Sequence, residues 1–211
     1  MRERRRINWR KTLIARGSAE LSRAHLRYRP QPCSGSVLHF MVIDCSSSML
    51  RAGRLALAKG LLMQWQKAIY RSRDLLAVVS FDGQGARLIR APGKALALEE
   101  DWLAPLRGQG SSPAGAAVSL SDSVIAQFRQ RQARELRCEL WFVTDGRFSR
   151  PPAAPQQAGS CTIIDVDRTP AGRCQRLARH WRAGYQHALA FVGTQHVYPG
   201  SEPKQRLNHA Y

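Results

Sequence analysis

"VIDCSSSM", residues Val42 to Met49, is the stretch from which the rest of the chain can be read. Apolar residues run into an aspartate, and three serines follow with no proline or glycine among them. The residues leading into it, "SVLHFMVID" (36–44), are a near-continuous apolar run about one strand long. A strand covered on both faces by helices reads this way, whereas a half-exposed strand alternates. A carboxylate and a row of hydroxyls then stand at the carboxyl end of a buried strand, which is where open α/β sheets bind ligands.

Outward from this point the pattern repeats. From Met49 to about Ser72 the period is helical, with Leu50, Leu55, Leu57, Leu61, Leu62, Trp65, Ile69 and Tyr70 on a broad apolar face. "DLLAVVSFDG" (74–83) reads as a second buried strand. "ARLIRAP" (86–92) reads as a shorter partner, antiparallel to it across the Gly83–Gly85 turn. "ALEEDWLAPL" (97–106) predicts a short helix, Gly108–Pro113 a loop, and 114–136 a longer helix. "CELWFVTDG" (138–146) is a third buried strand that again ends in an aspartate. "CTIIDVD" (161–167) is a fourth, and 171–184 predicts a further helix. Strand–helix alternation of this kind predicts an α/β fold: a doubly wound, mostly parallel sheet with helices on both faces and one antiparallel edge strand. The predicted organisation is a basic N-terminal extension over 1–35, with an edge strand at Glu20–Arg29, a domain over 36–190, and a C-terminal tail over 191–211.

Composition narrows the function classes. The chain has 211 residues, and its apolar share of 44% is that of an ordinary globular protein. Five cysteines, Cys33, Cys45, Cys138, Cys161 and Cys174, contain no C-x-x-C pair. With no secretory h-region and no apolar run long enough to span a bilayer, the expectation is a reduced, cytoplasmic protein whose thiols fill the core. The net charge of +18 calls for an acidic partner, whether protein, nucleic acid or anionic surface, or else is a solvated basic surface. No zinc-finger spacing or RNP-like aromatic motif supports nucleic acid specifically.

Carboxylates and hydroxyls without thiolate or imidazole make a hard oxygen site, suited to Mg²⁺ or Mn²⁺ rather than zinc. Ser46 and Ser48 lie two apart in a loop, so both hydroxyls can face one point, while Asp44 and Asp145 can hold the ion's waters and orient the serines. The blander readings are loop or helix caps: Asp44 and Asp145 as turn formers, Ser46 and Ser48 as N-caps. Thr144 and Asp165 read as structural, and His39 as a core or edge histidine. Cys45 lacks a histidine partner for nucleophilic work. Arg129, Arg131, Arg134 and Arg137 form either a solvated face or a docking surface.

Asp44-x-Ser46-x-Ser48, a glycine-rich loop ending in Ser-Pro, and "TDG" at a strand end together resemble the metal-ion-dependent adhesion site of von Willebrand factor A domains, over roughly residues 36 to 190. Within that family, "RAGRLALAKGLLMQWQKAIYRSRDLLAVVSF" and "LRGQGSSPAGAAVSLSDSV" resemble the C-terminal region of the D subunit of magnesium chelatase. "INWRKTLIAR" and "AHLRYR" resemble the segment preceding it. Glycine is expected where Ser47 stands and threonine where Ser112 stands; Ser111 is the alternative if the register shifts by one. The resemblance implies metal ligation by Ser46, Ser48 and Ser112, with Asp44 and Asp145 in support. It implies a carboxylate from a separate AAA+ ATPase as the last ligand, and a large tetrapyrrole-binding subunit into which Mg²⁺ or Co²⁺ is inserted. The sequence carries no G-x-x-x-x-G-K-[ST] motif and no acidic, proline-rich linker. It is therefore expected to be a non-catalytic adaptor made of the A domain alone. Two rival readings are an adaptor for a MoxR-like ATPase with another client, and a basic nucleic-acid-binding protein on the same fold.

Overall fold

A computed structural model describes residues 37–95, 113–131, 136–169 and 171–192, with isolated positions between 12 and 25. The chain divides into two compact units, Met1–Ser34 and Gly35–Tyr211. Of the first unit little is described: Thr12, Ile14 and Arg16 are helical, and the Ser22 N–H donates to His25 Nδ1 at 3.2 Å. The edge strand expected at 20–29 and the helix expected at 97–106 lie outside the described residues.

The second unit is built on one six-stranded sheet in the order β3-β2-β1-β4-β5-β6. The strands are β1 (Leu38–Asp44), β2 (Leu75–Asp82), β3 (Gly85–Lys94), β4 (Cys138–Thr144), β5 (Ser160–Asp165) and β6 (Gly184–His187). All neighbours pair in parallel except β2 and β3, which form an antiparallel hairpin. The fold class read from the sequence is the one observed.

Among the described residues three α-helices cover the sheet: α1 (Arg54–Ser72), α2 (Ala114–Gln130) and α3 (Arg173–Trp181). Alternation along the strands separates two cores. Met41, Ile43, Leu76, Val78, Trp141 and Val143 meet Leu62, Trp65 and Ile69 of α1 on one face. Phe40, Val42, Val79, Phe81, Leu140 and Phe142 meet α2 and α3 on the other. Both faces are buried, so β1 and β4 carry no polar stripe, and this is why they read as continuous apolar runs.

The sequence order turns round at β1. The chain leaves it through α1 to β2 on one side, while β4, on the other side, continues outward to β5 and β6. Between the carboxyl ends of β1 and β4 lies the switch point, where such sheets leave a crevice.

Two sequence readings need correction. The helix predicted from Met49 begins at Arg54; residues Ser47–Gly53 form a 3₁₀ turn ended by left-handed Ala52 (φ 53°) and Gly53 (φ 70°). Leu50 and Tyr70, assigned to the apolar face, are exposed. The second correction is a missed strand. β6 is only four residues, "GYQH", too short and too polar to show a period, yet it extends the sheet beside β5. The 3₁₀ turn Ala188–Phe191 after it drops Phe191 against Trp65, ring centroids 5.3 Å apart, so a residue assigned to the tail belongs to the core.

The packing yields a paired test. Phe191→Ala should cost about 3 kcal/mol in urea unfolding, as for other buried phenylalanines. Leu50→Ala should stay within about 0.5 kcal/mol, as for exposed positions. Equal effects would mean that 188–191 does not pack as described.

Candidate functional site

Four of the five parallel strands, β1, β2, β4 and β5, run into an aspartate at their carboxyl ends, and in each of these the carboxylate closes a turn. Asp44 accepts the N–H of Ser46 (2.9 Å), Asp82 that of Gln84 (2.8 Å), Asp145 that of Arg147 (3.2 Å) and Asp165 that of Asp167 (2.9 Å). Aspartate does this because its short side chain mimics a backbone turn. The turn-forming reading of Asp44 and Asp145 is therefore correct as far as it goes. Their position sets them apart, since they end the two strands that flank the switch point.

Asp44 is fully buried. Its second oxygen accepts the Thr144 hydroxyl at 2.7 Å, which ties the end of β1 to the end of β4. Burial raises the Asp44 pKa; the hydrogen bonds from Ser46 and Thr144 pull it back only in part, and the nearby Asp145 charge adds to the rise. Thr144 is structural, as the sequence suggests: it also accepts the Gly146 N–H at 3.0 Å.

Ser46 and Ser48 come together. Their hydroxyl oxygens are 3.1 Å apart. Ser46 sits at the N-cap position of the 3₁₀ turn but its hydroxyl makes no capping bond, so that reading is not what the structure holds. Ser47 is exposed and not left-handed, so nothing in the backbone demands the glycine expected there. Ser111 and Ser112 lie outside the described residues; the loop resumes at Pro113, at the head of α2.

Sequence reasoning missed a buried ion-pair network. Arg54, the first residue of α1, is only 7% exposed. Its Nη1 donates to the Ser48 carbonyl (2.9 Å) and to Asp145 (3.4 Å), and its Nη2 to Asp167 (2.9 Å). Arg147 closes the square, 3.3 Å from Asp145 and 3.5 Å from Asp167. Burial works against the Asp167 anion, yet Arg54, the Thr169 N–H and Arg147 outweigh it and hold its pKa below the usual value. The signal was present: Arg54 falls on the buried spacing of Ala58, Leu61 and Trp65, and an arginine there needs carboxylates. Asp165 accepts the Tyr185 hydroxyl at 3.1 Å and is structural, as expected.

The remaining candidates fall away from the crevice or out of reach of chemistry. His39 lies near the opposite end of β1, 3.5 Å from Asp74 and 3.6 Å from Glu139; burial lowers its pKa, with Asp74 opposing. Arg137 pairs with Glu139 at 3.0 Å. Burial pushes the Cys45 thiol up to about 12, and the Asp44 and Asp82 charges add to it, so no thiolate forms at neutral pH. No described helix is long and apolar enough to cross a membrane.

No family model matches the chain. The 60 kDa subunit of magnesium chelatase from Cereibacter sphaeroides is 35% identical over 114 residues, which is 54% of this chain and 20% of that one. The same subunit from Rhodobacter capsulatus is 29% identical over 128 residues, 61% of this chain and 22% of that one. Proximal thread matrix protein 1 of the mussel byssus superposes with a TM-score of 0.53 at 14% identity, over 69% of this chain and 41% of that one. The chain has a von Willebrand factor A-like α/β fold and resembles the 60 kDa subunit of magnesium chelatase. The matched part of the chain spans about a fifth of the length of those curated relatives.

Two outcomes follow for the A domain. Arg54→Met should destabilise it by about 3 kcal/mol, because two buried carboxylates lose their cation. Arg147→Met, a third exposed, should cost below about 1 kcal/mol. Similar losses, read by urea unfolding, would contradict the network. Native protein treated with iodoacetamide near pH 8 should carry at most one adduct, at Cys33, because burial raises the pKa of the other four thiols. A native adduct on Cys45 would overturn that reading.

Proposed function

We propose that this A domain is the adaptor of an AAA+-driven metal chelatase, coupling chains through a divalent ion held at the β1–β4 crevice. The observation that carries the reading is the serine pair. Neighbouring vertices of an octahedron with Mg²⁺–oxygen arms of 2.0–2.1 Å are about 3 Å apart. The 3.1 Å between Ser46 and Ser48 hydroxyls matches this spacing before any ion is considered. The donors are hard oxygens, as Mg²⁺ or Mn²⁺ requires.

In this reading Ser46 and Ser48 are direct ligands, with Ser112 of the loop before α2 as the third. Asp44 orients Ser46 and accepts from water around the ion. Its burial then has a purpose: an anion raised in pKa by desolvation gains most from a cation alongside. Asp145 has one oxygen on the Arg147 N–H and the other facing two guanidinium groups, so it acts from outside the ligand shell. Bound there, the ion supplies an open position for a carboxylate of a partner chain. Three neutral hydroxyls hold a divalent ion weakly, and the partner's carboxylate completes the set.

The likeness to the chelatase subunits supports the choice of client: a separate AAA+ ATPase and a large tetrapyrrole-binding subunit, with Mg²⁺ or Co²⁺ as cargo. The sequence carries no G-x-x-x-x-G-K-[ST] motif and the described residues include no activated nucleophile; in this reading energy and insertion chemistry come from those partners.

The test is reconstitution. Chelation by the ATPase and large subunit should depend on this chain, and Asp44→Ala should abolish that dependence while circular dichroism shows an intact fold. Full chelation without the chain would assign it to another ATPase client. ATP turnover or metal insertion by the isolated chain would refute the adaptor role.

A further inference from the structure

The strongest unexplained feature outside the crevice is the outer face of α3. From Arg168 to Val192 the chain carries Arg168, Arg173, Arg176, Arg179, Arg182, His180 and His187 and no aspartate or glutamate. Cys174, Leu177, Ala178 and Trp181 turn inward. Arg176, Arg179 and His180 are left on the solvent side, with Arg168 and Arg182 exposed at either end. None of these arginines is ion-paired with another described residue.

This arrangement runs against the helix that carries it. Arg173 and Arg176 sit in and beside the first turn of α3, which has no acidic residue, so cations crowd the positive end of the helix dipole. A chain under no other constraint would place Asp or Glu there. The first turn also adjoins the crevice. A Cβ added to Gly146, the residue after Asp145, would stand 2.9 Å from both Arg173 Cβ and Cys174 Sγ. The arginine ridge thus starts beside the Thr144-Asp145-Gly146 loop and runs away from it over about 13 Å of helix.

We propose that the outer face of α3 is the docking surface for an acidic segment of a partner protein, which lies along Arg173, Arg176 and Arg179 next to the β1–β4 crevice. The chemistry of the face selects among anions. Single-stranded nucleic acid binds basic surfaces that also offer aromatic rings for stacking. The sole indole, phenyl or phenol ring of α3, that of Trp181, is buried with its Nε1–H donated to the Pro152 carbonyl at 2.9 Å. An anionic membrane is met by helices that show bulky apolar groups beside their cations, and the apolar residues of α3 all face the core. Carboxylates need neither feature. The docking reading of the crevice supplies the location, because a partner that brings one carboxylate to the ion is already at the head of the ridge. The unpaired arginines of α3 attract carboxylates with or without an ion in the crevice.

The probe is fluorescein-labelled deca-glutamate, titrated with full-length protein at about 150 mM salt, where long-range steering is largely screened, with Mg²⁺ and again with EDTA. Arg176→Glu/Arg179→Glu should weaken binding at least about tenfold, as loss of a complementary charge pair does at an interface. Lys67→Glu/Arg71→Glu, the same charge change on exposed positions of α1 across the sheet, should leave it within about twofold. Equal losses in the two double variants would overturn the proposal by showing that only net charge matters. A single-stranded oligonucleotide of equal charge bound more tightly, and lost in the α3 variant, would overturn it in favour of nucleic acid. Vesicles with phosphatidylserine captured by the α3 face would do so in favour of membrane. Asp44→Ala separates this from the crevice reading: if that variant leaves binding unchanged with and without Mg²⁺ while the α3 variant loses it, the crevice reading fails and this one stands. If Asp44→Ala loses Mg²⁺-dependent binding and the α3 variant does not, the reverse holds.

Discussion

Asp44 is a carboxylate without exposed surface, held between two strand ends by a backbone N–H on one oxygen and a threonine hydroxyl on the other. The site depends on this interaction. It fixes the loop that carries Ser46 and Ser48, and it joins that loop to β4 across the gap where the sheet changes direction. A buried carboxylate is costly unless its lone pairs are satisfied. The hydrogen bonds from Ser46 and Thr144 offset its burial only in part, and its pKa is raised.

The second constraint is Arg54. The turn from Ser48 into α1 passes through two consecutive left-handed residues, Ala52 and Gly53, and brings the arginine back beneath the serine loop. There it cancels Asp145 and Asp167, which would otherwise stand as uncompensated buried charges beside Asp44. The balance is selective: Asp145 and Asp167 are paired with guanidinium groups, while Asp44 has none among the described residues. That difference separates Asp44 from the carboxylates that guanidinium groups neutralise.

Much of this was legible in the sequence, for identifiable reasons. Strands buried on both faces announce themselves as apolar runs, and the aspartates that end them mark the edge of the sheet. The strand-end rule was less specific than it looked, since Asp82 and Asp165 close the same turns as Asp44 and Asp145 and only topology distinguishes them. β6 was hidden because four residues carry no period, and Phe191 because a single aromatic after a short strand resembles a tail. Arg54 was hidden because a charged residue on a helix is first read as surface, whereas here its guanidinium is surrounded by oxygen atoms brought from β4 and β5.

The central claim is that the Ser46–Ser48 hydroxyl pair, backed by Asp44, receives a divalent ion. Paramagnetic relaxation by Mn²⁺, read on the amide signals of the full chain, tests it most directly because it detects weak binding. As Mn²⁺ is added, the signals of Cys45 to Ser48 and of Asp145 to Arg147 should broaden first, and Asp44→Ala should remove that selectivity. Broadening that is uniform over the surface, or that begins around Asp74 and Glu139 at the opposite edge of the sheet, would contradict the account.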